Sequence, residues 1–227
     1  MDFFAVSPAS YKINNNQWWY HTLKFVNENY DTDLLISVSK DVEETSGKIR
    51  LNFRHALAKI QFRLKSSDPD AVIDVSDIKL CNVAKHADFF FPDFTTSAGT
   101  DQRGISDCWK TYDSQEDVEI FHPEDGSYVT LAQTPVTVGP ENLFLLPDSI
   151  TVLEPGIIWR GTHIQLTYHT AGNRHTIHIP LREATPENKW DSGKNYRYTI
   201  DVRNTVNATT RSGQQPYSIS CDTTSIY

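Results

Sequence analysis

The chain has 227 residues, a hydrophobic content of 38% and a formal net charge of -8. This length is enough to bury one large or two small domains, and the composition is that of a globular protein. The acidic balance and the lack of a basic stripe argue against a nucleic-acid partner, because phosphate backbones are bound by clustered lysine and arginine. No apolar run is long enough to predict a transmembrane segment.

The first residues already resemble a strand. Residues 3–6 are apolar, and no basic region followed by an apolar core precedes them, so the sequence shows no signal peptide. This pattern indicates that the natural N-terminus lies upstream, in which case the missing signal says nothing about the compartment. Further strands are predicted at 18–25 and 34–38, and the charged stretch 43–47 is the best linker candidate.

Two strand patterns that are out of phase meet between residues 49 and 64. The first has apolar residues at odd positions: Ile49, Leu51 and Phe53. The second has them at even positions: Ile60, Phe62 and Leu64. A strand changes faces only through an extra residue, a bend or a move to another sheet. The sequence therefore predicts a bulge or bend within residues 55–59 that turns Ile60, Phe62 and Leu64 into the core.

The rest of the chain is patterned almost entirely as strands. Strands are predicted at 72–83, 129–138 and 143–146, with a hairpin formed by 164–168 and 177–181 and a last strand at 196–202. No segment shows the apolar stripe of an amphipathic helix. Short strands without alternating helices predict an all-β fold, an antiparallel β-sandwich.

The cysteines do not form a metal-binding pattern. Cys81, Cys108 and Cys221 leave one residue over after any pairing, and their spacing matches no CxxC motif. Free or buried thiols are the favoured interpretation, and a single disulfide is the alternative.

Four histidines fall in the predicted hairpin. Alternation with the inward residues predicts that His163, His169 and His178 face outward, whereas His175 shares the parity of the inward set. No Asp, Glu or Cys lies within the hairpin to complete a coordination shell, so exposed histidines are favoured over a metal site.

No catalytic motif is present. The sequence lacks GxSxG, a phosphate-binding loop, GxGxxG and HExxH, so no catalytic residue, cofactor or metal is predicted and the chain is not expected to be an enzyme. Aromatic side chains offer a different function, because their faces stack on sugar rings. Trp18, Trp109 and Trp159 are the candidate ligand-facing aromatics, with core packing as the alternative.

Five segments in order share a pattern with a known family. They are the Asp-Leu-Leu segment DLLI at 33–36, the signature IRLNFRHALAKIQF at 49–62, IKLCNV at 78–83, LFLLP at 143–147 and WDSGKNYRYTI at 190–200. Together these resemble the fimbrillin-like proteins of Bacteroidetes, the FimA/Mfa-type major and minor fimbrial subunits. The signature residues carried by this resemblance are Phe53, His55, Ala56, Leu57, Lys59 and Phe62.

The resemblance implies a two-domain, transthyretin-like β-sandwich that is exported as a lipoprotein and assembled at the cell surface by strand exchange. Residues 1–46 would be a remnant of the N-terminal domain, and 47–227 the complete C-terminal domain. The chain departs from the family pattern in two ways: it lacks the signal and lipobox cysteine, and the family's final strand is not evident after Val202.

The predicted function follows from this resemblance and from the β pattern. The first hypothesis is a non-enzymatic structural or adhesive subunit of a fimbria, located at the cell surface or outer membrane. Its partners would be other fimbrial subunits and a host or bacterial surface glycan or protein. The alternative is a secreted glycan-binding β-sandwich module that uses its exposed aromatics.

Overall fold

The computed structural model describes residues 1–17, 20–42, 47–91, 103–147, 161–203 and 215–226. Nearly all regular structure in these ranges is strand. The strands are β1 (Phe3–Ser7), β2 (Ile13–Gln17), β3 (Tyr20–Val26), β4 (Leu35–Ser39), β5 (Arg54–His55), β6 (Ala58–Lys65), β7 (Asp74–Phe90), β8 (Trp109–Phe121), β9 (Val129–Thr130), β10 (Val136–Val138), β11 (Phe144–Leu145), β12 (His163–Thr170), β13 (Asn173–Pro180), β14 (Lys194–Val202) and β15 (Tyr217–Ser225). The helical pieces are α1 (Arg103–Ser106) and the 3-10 turns Arg182–Ala184 and Pro186–Asn188. No helix in the described part of the chain is long and apolar enough to cross a bilayer.

The strands form three sheets. A three-stranded sheet has the order β1-β4-β5, and a five-stranded sheet has the order β10-β6-β14-β15 with β11 also paired to β6. The seven-stranded sheet has the order β13-β12-β7-β3-β2, and β8 and β9 also pair with β7. Strands β6 and β14 are parallel, and the other pairings described are antiparallel.

Two buried clusters hold the sheets together. The larger cluster lies between the five-stranded and seven-stranded sheets, where inward residues of β6 and β14 meet those of β7 and β12. The smaller cluster joins the three-stranded sheet to β3 and to the far end of β7 and near end of β8. Because β7 is 17 residues long, it contributes to both clusters. This face-to-face packing confirms the predicted all-β sandwich.

The smaller cluster uses residues on both sides of residue 46. Leu23, Phe25 and Ile36 pack there with Phe89 and Trp109. The division into a 1–46 remnant and a 47–227 domain stays a prediction, because packing alone does not define domains that fold separately.

The chain does change face within residues 55–59, but the prediction of a bulge or bend is wrong, because the chain moves to another sheet there. His55 ends β5, which pairs with β4, whereas Ala58 begins β6 in the five-stranded sheet. Along β6 the side chains alternate strictly between buried and half-buried, so Ile60, Phe62 and Leu64 point into the larger cluster. Of the three routes that allow a strand pattern to change phase, the chain uses the move to another sheet.

The prediction of a strand over residues 49–53 is wrong. Residues 48–53 join no ladder with any described strand. The three alternating apolar side chains are exposed, at 41% for Ile49, 39% for Leu51 and 44% for Phe53. A segment with alternating apolar residues forms a strand of a sheet only where a partner strand pairs with it and other residues cover its apolar face. The described residues around 48–53 provide neither.

The predicted hairpin is confirmed, with continuous pairing from His163 opposite Pro180 to Thr170 opposite Asn173. Its turn residues Ala171 and Gly172 both have positive φ, as a type I′ turn requires. His163 lies on the face opposite Ile164, as predicted, but the expectation that it is exposed is wrong: this side chain is buried, and its Nδ1 lies 2.7 Å from the carbonyl oxygen of Gly161. Alternation cannot reveal that the second face of a sheet is also covered.

A regular strand does follow Val202. β15 pairs with β14 along its whole length, from Tyr217 opposite Val202 to Ser225 opposite Lys194. The strand pattern of β15 is weak in the sequence because β15 lies at the sheet edge, where most of its small polar side chains face solvent.

The cysteines are unpaired, as the favoured interpretation predicted. Cys81 and Cys108 are buried, and burial raises the pKa of each thiol to about 12. Burial also raises the pKa of the half-buried Cys221 thiol to about 11.

We expect these thiols to react very slowly in the native protein at pH 8. A thiol with a pKa near 12 is thiolate in only about one molecule in ten thousand at that pH, and the thiolate is the reactive form. Titration with Ellman's reagent checks this: native protein should release almost no chromophore, whereas protein unfolded in guanidinium should release three equivalents. Rapid release of a full equivalent from native protein would contradict the raised pKa values.

Candidate functional site

The link between β5 and β6 is a meeting point for distant parts of the chain. The backbone N–H of Ala56 donates to the carbonyl of Leu34 at 2.8 Å. The carbonyl of Ala56 accepts from Trp109 Nε1 and from Ser192 Oγ, each at 2.9 Å. The next carbonyl, that of Leu57, accepts from the N–H of Gly193 at 2.8 Å. These bonds fix the point at which the chain leaves one sheet and enters the next.

Side chains of the signature segment make further connections. His55 Nδ1 contacts the carboxylate of Asp33, the first residue of the Asp-Leu-Leu segment. Lys59 Nζ donates to Asn142 Oδ1 at 2.6 Å and lies 5.8 Å from the ring centroid of Phe144.

Four of the five segments that carry the family resemblance therefore converge on the link between β5 and β6. The remaining one, 78–83, lies in β7 and belongs to the larger cluster instead. The sequence alone does not predict that these segments converge. Trp109 and Ser192 bond to Ala56 across 53 and 136 residues, and no local pattern reports such distant pairs.

A cavity of about 180 Å³ opens beside this link. Ser106 lines it and accepts a hydrogen bond from the N–H of Ser192 at 2.8 Å. The charged side chains of the lining are Asp107, Lys110, Lys189 and Asp191. The described residues of its lining are therefore mostly polar and charged, with no histidine or cysteine among them.

Lys189 in the cavity lining is held by two carboxylates. Its Nζ lies 3.1 Å from Asp191 Oδ1 and 3.6 Å from Glu187 Oε2. The close contact with the Asp191 carboxylate is the main cause of the raised pKa of this ammonium group. Because Lys189 is already paired, an anionic ligand would have to compete with Asp191 for it.

The structure overturns one candidate aromatic and does not describe the other two. Trp109 is only 2% exposed, and its ring centroid lies 5.0 Å from that of Phe89 and 5.5 Å from that of Phe25. Trp109 is therefore a core residue, and the prediction that it faces a ligand is wrong. Trp18 and Trp159 lie outside the described residues.

The edge segment, which we define as residues 47–53, is the most exposed apolar feature near the signature. Strand β4 is paired with β1 from Leu35 to Ser39 on one side, but with β5 only at Leu35 and Ile36 on the other. The edge segment leads into β5 along this open side, and Ser39 Oγ donates to the carbonyl of Arg50 at 3.1 Å.

The comparisons with known proteins agree with the fold and with the predicted resemblance. The sequence model of a family described as fimbrillin-like matches residues 1–214. A solved structure of a proposed cell adhesion protein from Bacteroides uniformis is 16% identical, with a TM-score of 0.55, and the match covers 99% of this chain and 72% of that one.

Two further solved structures are more distant. A proposed cell adhesion protein from Bacteroides ovatus is 12% identical with a TM-score of 0.48, covering 100% of this chain and 68% of that one. The tip fimbrial protein Mfa3 from Porphyromonas gingivalis is 11% identical with a TM-score of 0.36, covering 84% of this chain and 62% of that one. No curated protein matches the chain. The family match spans both buried clusters, and the chain belongs to the fimbrillin-like family.

Proposed function

We propose that the chain is a non-enzymatic structural or adhesive subunit of a bacterial cell-surface fimbria, assembled with other fimbrial subunits by strand exchange. Membership of the fimbrillin-like family supports the fimbrial role. The proposed location is the cell surface, in the fimbria or at the outer membrane. The same family membership supports a structural role in place of an enzymatic one.

The edge segment is the observation that carries the strand-exchange part of the proposal. Strand exchange needs backbone groups free to pair and alternating side chains that can enter a partner's groove. The side of β4 at residues 37–39 has no ladder partner among the described strands, and Ile49, Leu51 and Phe53 alternate beside it. A partner strand could pair there, or the edge segment could enter a neighbour's sheet.

We expect a charge within the edge segment to block assembly without weakening the subunit. Leu51→Asp and Phe53→Asp each place a carboxylate where the proposal requires an apolar contact, and burying an unpaired charge is strongly unfavourable. Light scattering after size exclusion should show oligomers of the unchanged chain that grow with concentration. The two variants should remain near the monomer mass of 25.9 kDa.

Val72→Asp is the matched control, since Val72 is 64% exposed and lies outside the edge segment. This variant should assemble like the unchanged chain. Assembly of Leu51→Asp and Phe53→Asp at the normal concentration would argue against the edge segment as the contact. Absence of the chain from fimbriae sheared off the source bacterium, detected with a specific antibody, would argue against the fimbrial role itself.

The glycan-binding alternative receives less support from the described residues. Sugar stacking needs flat aromatic faces open to solvent, but Trp109 and Trp190 beside the cavity are both buried. Among the described residues, the exposed aromatic rings Phe53, Phe90 and Tyr128 lie in three separate segments: Phe90 ends β7, whereas Phe53 and Tyr128 precede β5 and β9.

A further inference from the structure

Three metal-ligating side chains meet where β7 and β8 pair, far in sequence from the signature segment. Asp77 lies on β7, Glu119 on β8, and His122 directly follows β8. One ligand atom from each, two carboxylate oxygens and an imidazole nitrogen, all lie within 4.8 Å of one another. His122 Nδ1 is 2.7 Å from Asp77 Oδ2.

A bulge in the ladder places these groups on one face. Ile78 lies opposite Phe121, but the next residue, Lys79, lies opposite Glu119, so β8 has one extra residue at this point. In a regular ladder Glu119 would oppose Leu80 and point into the larger cluster. The extra residue instead turns Glu119 to the face that carries Asp77, while Ile120 stays in the core.

The donor set distinguishes this site from a solvated acidic patch. Calcium sites are built from oxygen ligands, whereas an imidazole together with carboxylates suits zinc and neighbouring divalent transition metals. Around a tetrahedral zinc ion such ligand atoms lie about 3.3 Å apart. Glu119 and His122 are exposed and free to make the small rotations that this geometry needs, whereas Asp77 is held with its side chain only 15% exposed.

We propose that Asp77, Glu119 and His122 bind a divalent transition-metal ion, with a fourth position open to water or to a ligand from another molecule. The β7–β8 ladder fixes the backbone positions of these residues before the ion binds, so only their side chains have to be ordered by the ion. Lys79 lies on the same face opposite Glu119, and its positive charge opposes the cation. Two carboxylates outweigh this one ammonium group, so the site keeps a net attraction for a cation.

Isothermal titration of the full chain with zinc chloride, after chelation and dialysis, tests the proposal. One zinc ion should bind per chain. His122→Ala and Glu119→Gln should each weaken binding at least about tenfold, since even the loss of an outer partner of a metal ligand costs about 10–100-fold. The same variants should lose the rise in melting temperature that zinc gives the unchanged chain.

His169→Ala is the matched control, because His169 is a half-exposed histidine that faces the carboxyl residue Asp74 across the neighbouring strand pair. It should bind zinc like the unchanged chain. The proposal is overturned if the unchanged chain binds no zinc, or if His122→Ala and Glu119→Gln bind as tightly as it does. The proposal is also overturned if zinc binding is weakened only in His169→Ala, because the ion would then bind near His169 and not at Asp77, Glu119 and His122. Circular dichroism of the variants verifies that they keep the fold.

Discussion

Replacing Phe62 with alanine is expected to lower the free energy of unfolding by about 3–5 kcal/mol. The side chain is 1% exposed and points into the larger cluster from the middle of β6. Its ring is stacked on Tyr198 of the parallel strand β14, with 5.7 Å between the centroids. The substitution removes this contact and leaves a cavity. The strands beside β6 cannot move in to fill it, because they are hydrogen-bonded to β6 in the same sheet.

Phe53→Ala is the matched control, because the same residue type occupies the same signature segment at 44% exposure. We expect its free energy of unfolding to stay within about 0.5 kcal/mol of that of the unchanged chain. Guanidinium denaturation followed by circular dichroism measures both variants. Equal destabilisation by the two substitutions would contradict the claim that Phe62 faces the core and Phe53 does not.

The contrast between these phenylalanines shows what alternation can and cannot predict. The β12–β13 hairpin was predictable because its pattern, turn and partner strand are adjacent in sequence. Leu51 and Phe53 have an equally clear pattern, but they would form a strand only if the pairing between β4 and β5 extended beyond Leu35 and Ile36. The residues around Leu51 and Phe53 do not determine how far that pairing extends. Likewise, the bulge that turns Glu119 outward is marked in the sequence of β8 only by the adjacent apolar pair Ile120 and Phe121, which does not show by itself which side chain changes face.

The arrangement around the signature segment was predictable only in part. The resemblance identified the segments, and the change of phase located the move between sheets at residues 55–59. That Trp109 fills a core instead of facing a ligand could not be read from the sequence, because it stands in an irregular region without a pattern of its own. Its burial follows from three partners far away along the chain: Phe25, Phe89 and the carbonyl of Ala56.

Replacing Trp109 with alanine should therefore also cost about 3–5 kcal/mol in the free energy of unfolding. The loss combines two effects, a cavity in the smaller cluster and the removal of a donor from the buried carbonyl of Ala56. Trp109→Phe separates them, since it keeps much of the ring contact with Phe25 and Phe89 while removing the indole N–H.

Ser192→Ala removes the second donor, so the two variants and their combination form a double-mutant cycle on a single carbonyl. With either donor present, the Ala56 oxygen keeps a side-chain partner, and each loss alone should cost about 1 kcal/mol beyond any change in packing. Without both, the oxygen loses its two side-chain partners, and the combined loss should exceed the sum by about 0.5–3 kcal/mol. Urea denaturation followed by far-ultraviolet circular dichroism measures all four proteins. Simple additivity would mean that the two donors act independently. A coupled loss would mean that Trp109 and Ser192, distant in sequence from each other and from Ala56, hold the change of sheet in place through a shared acceptor.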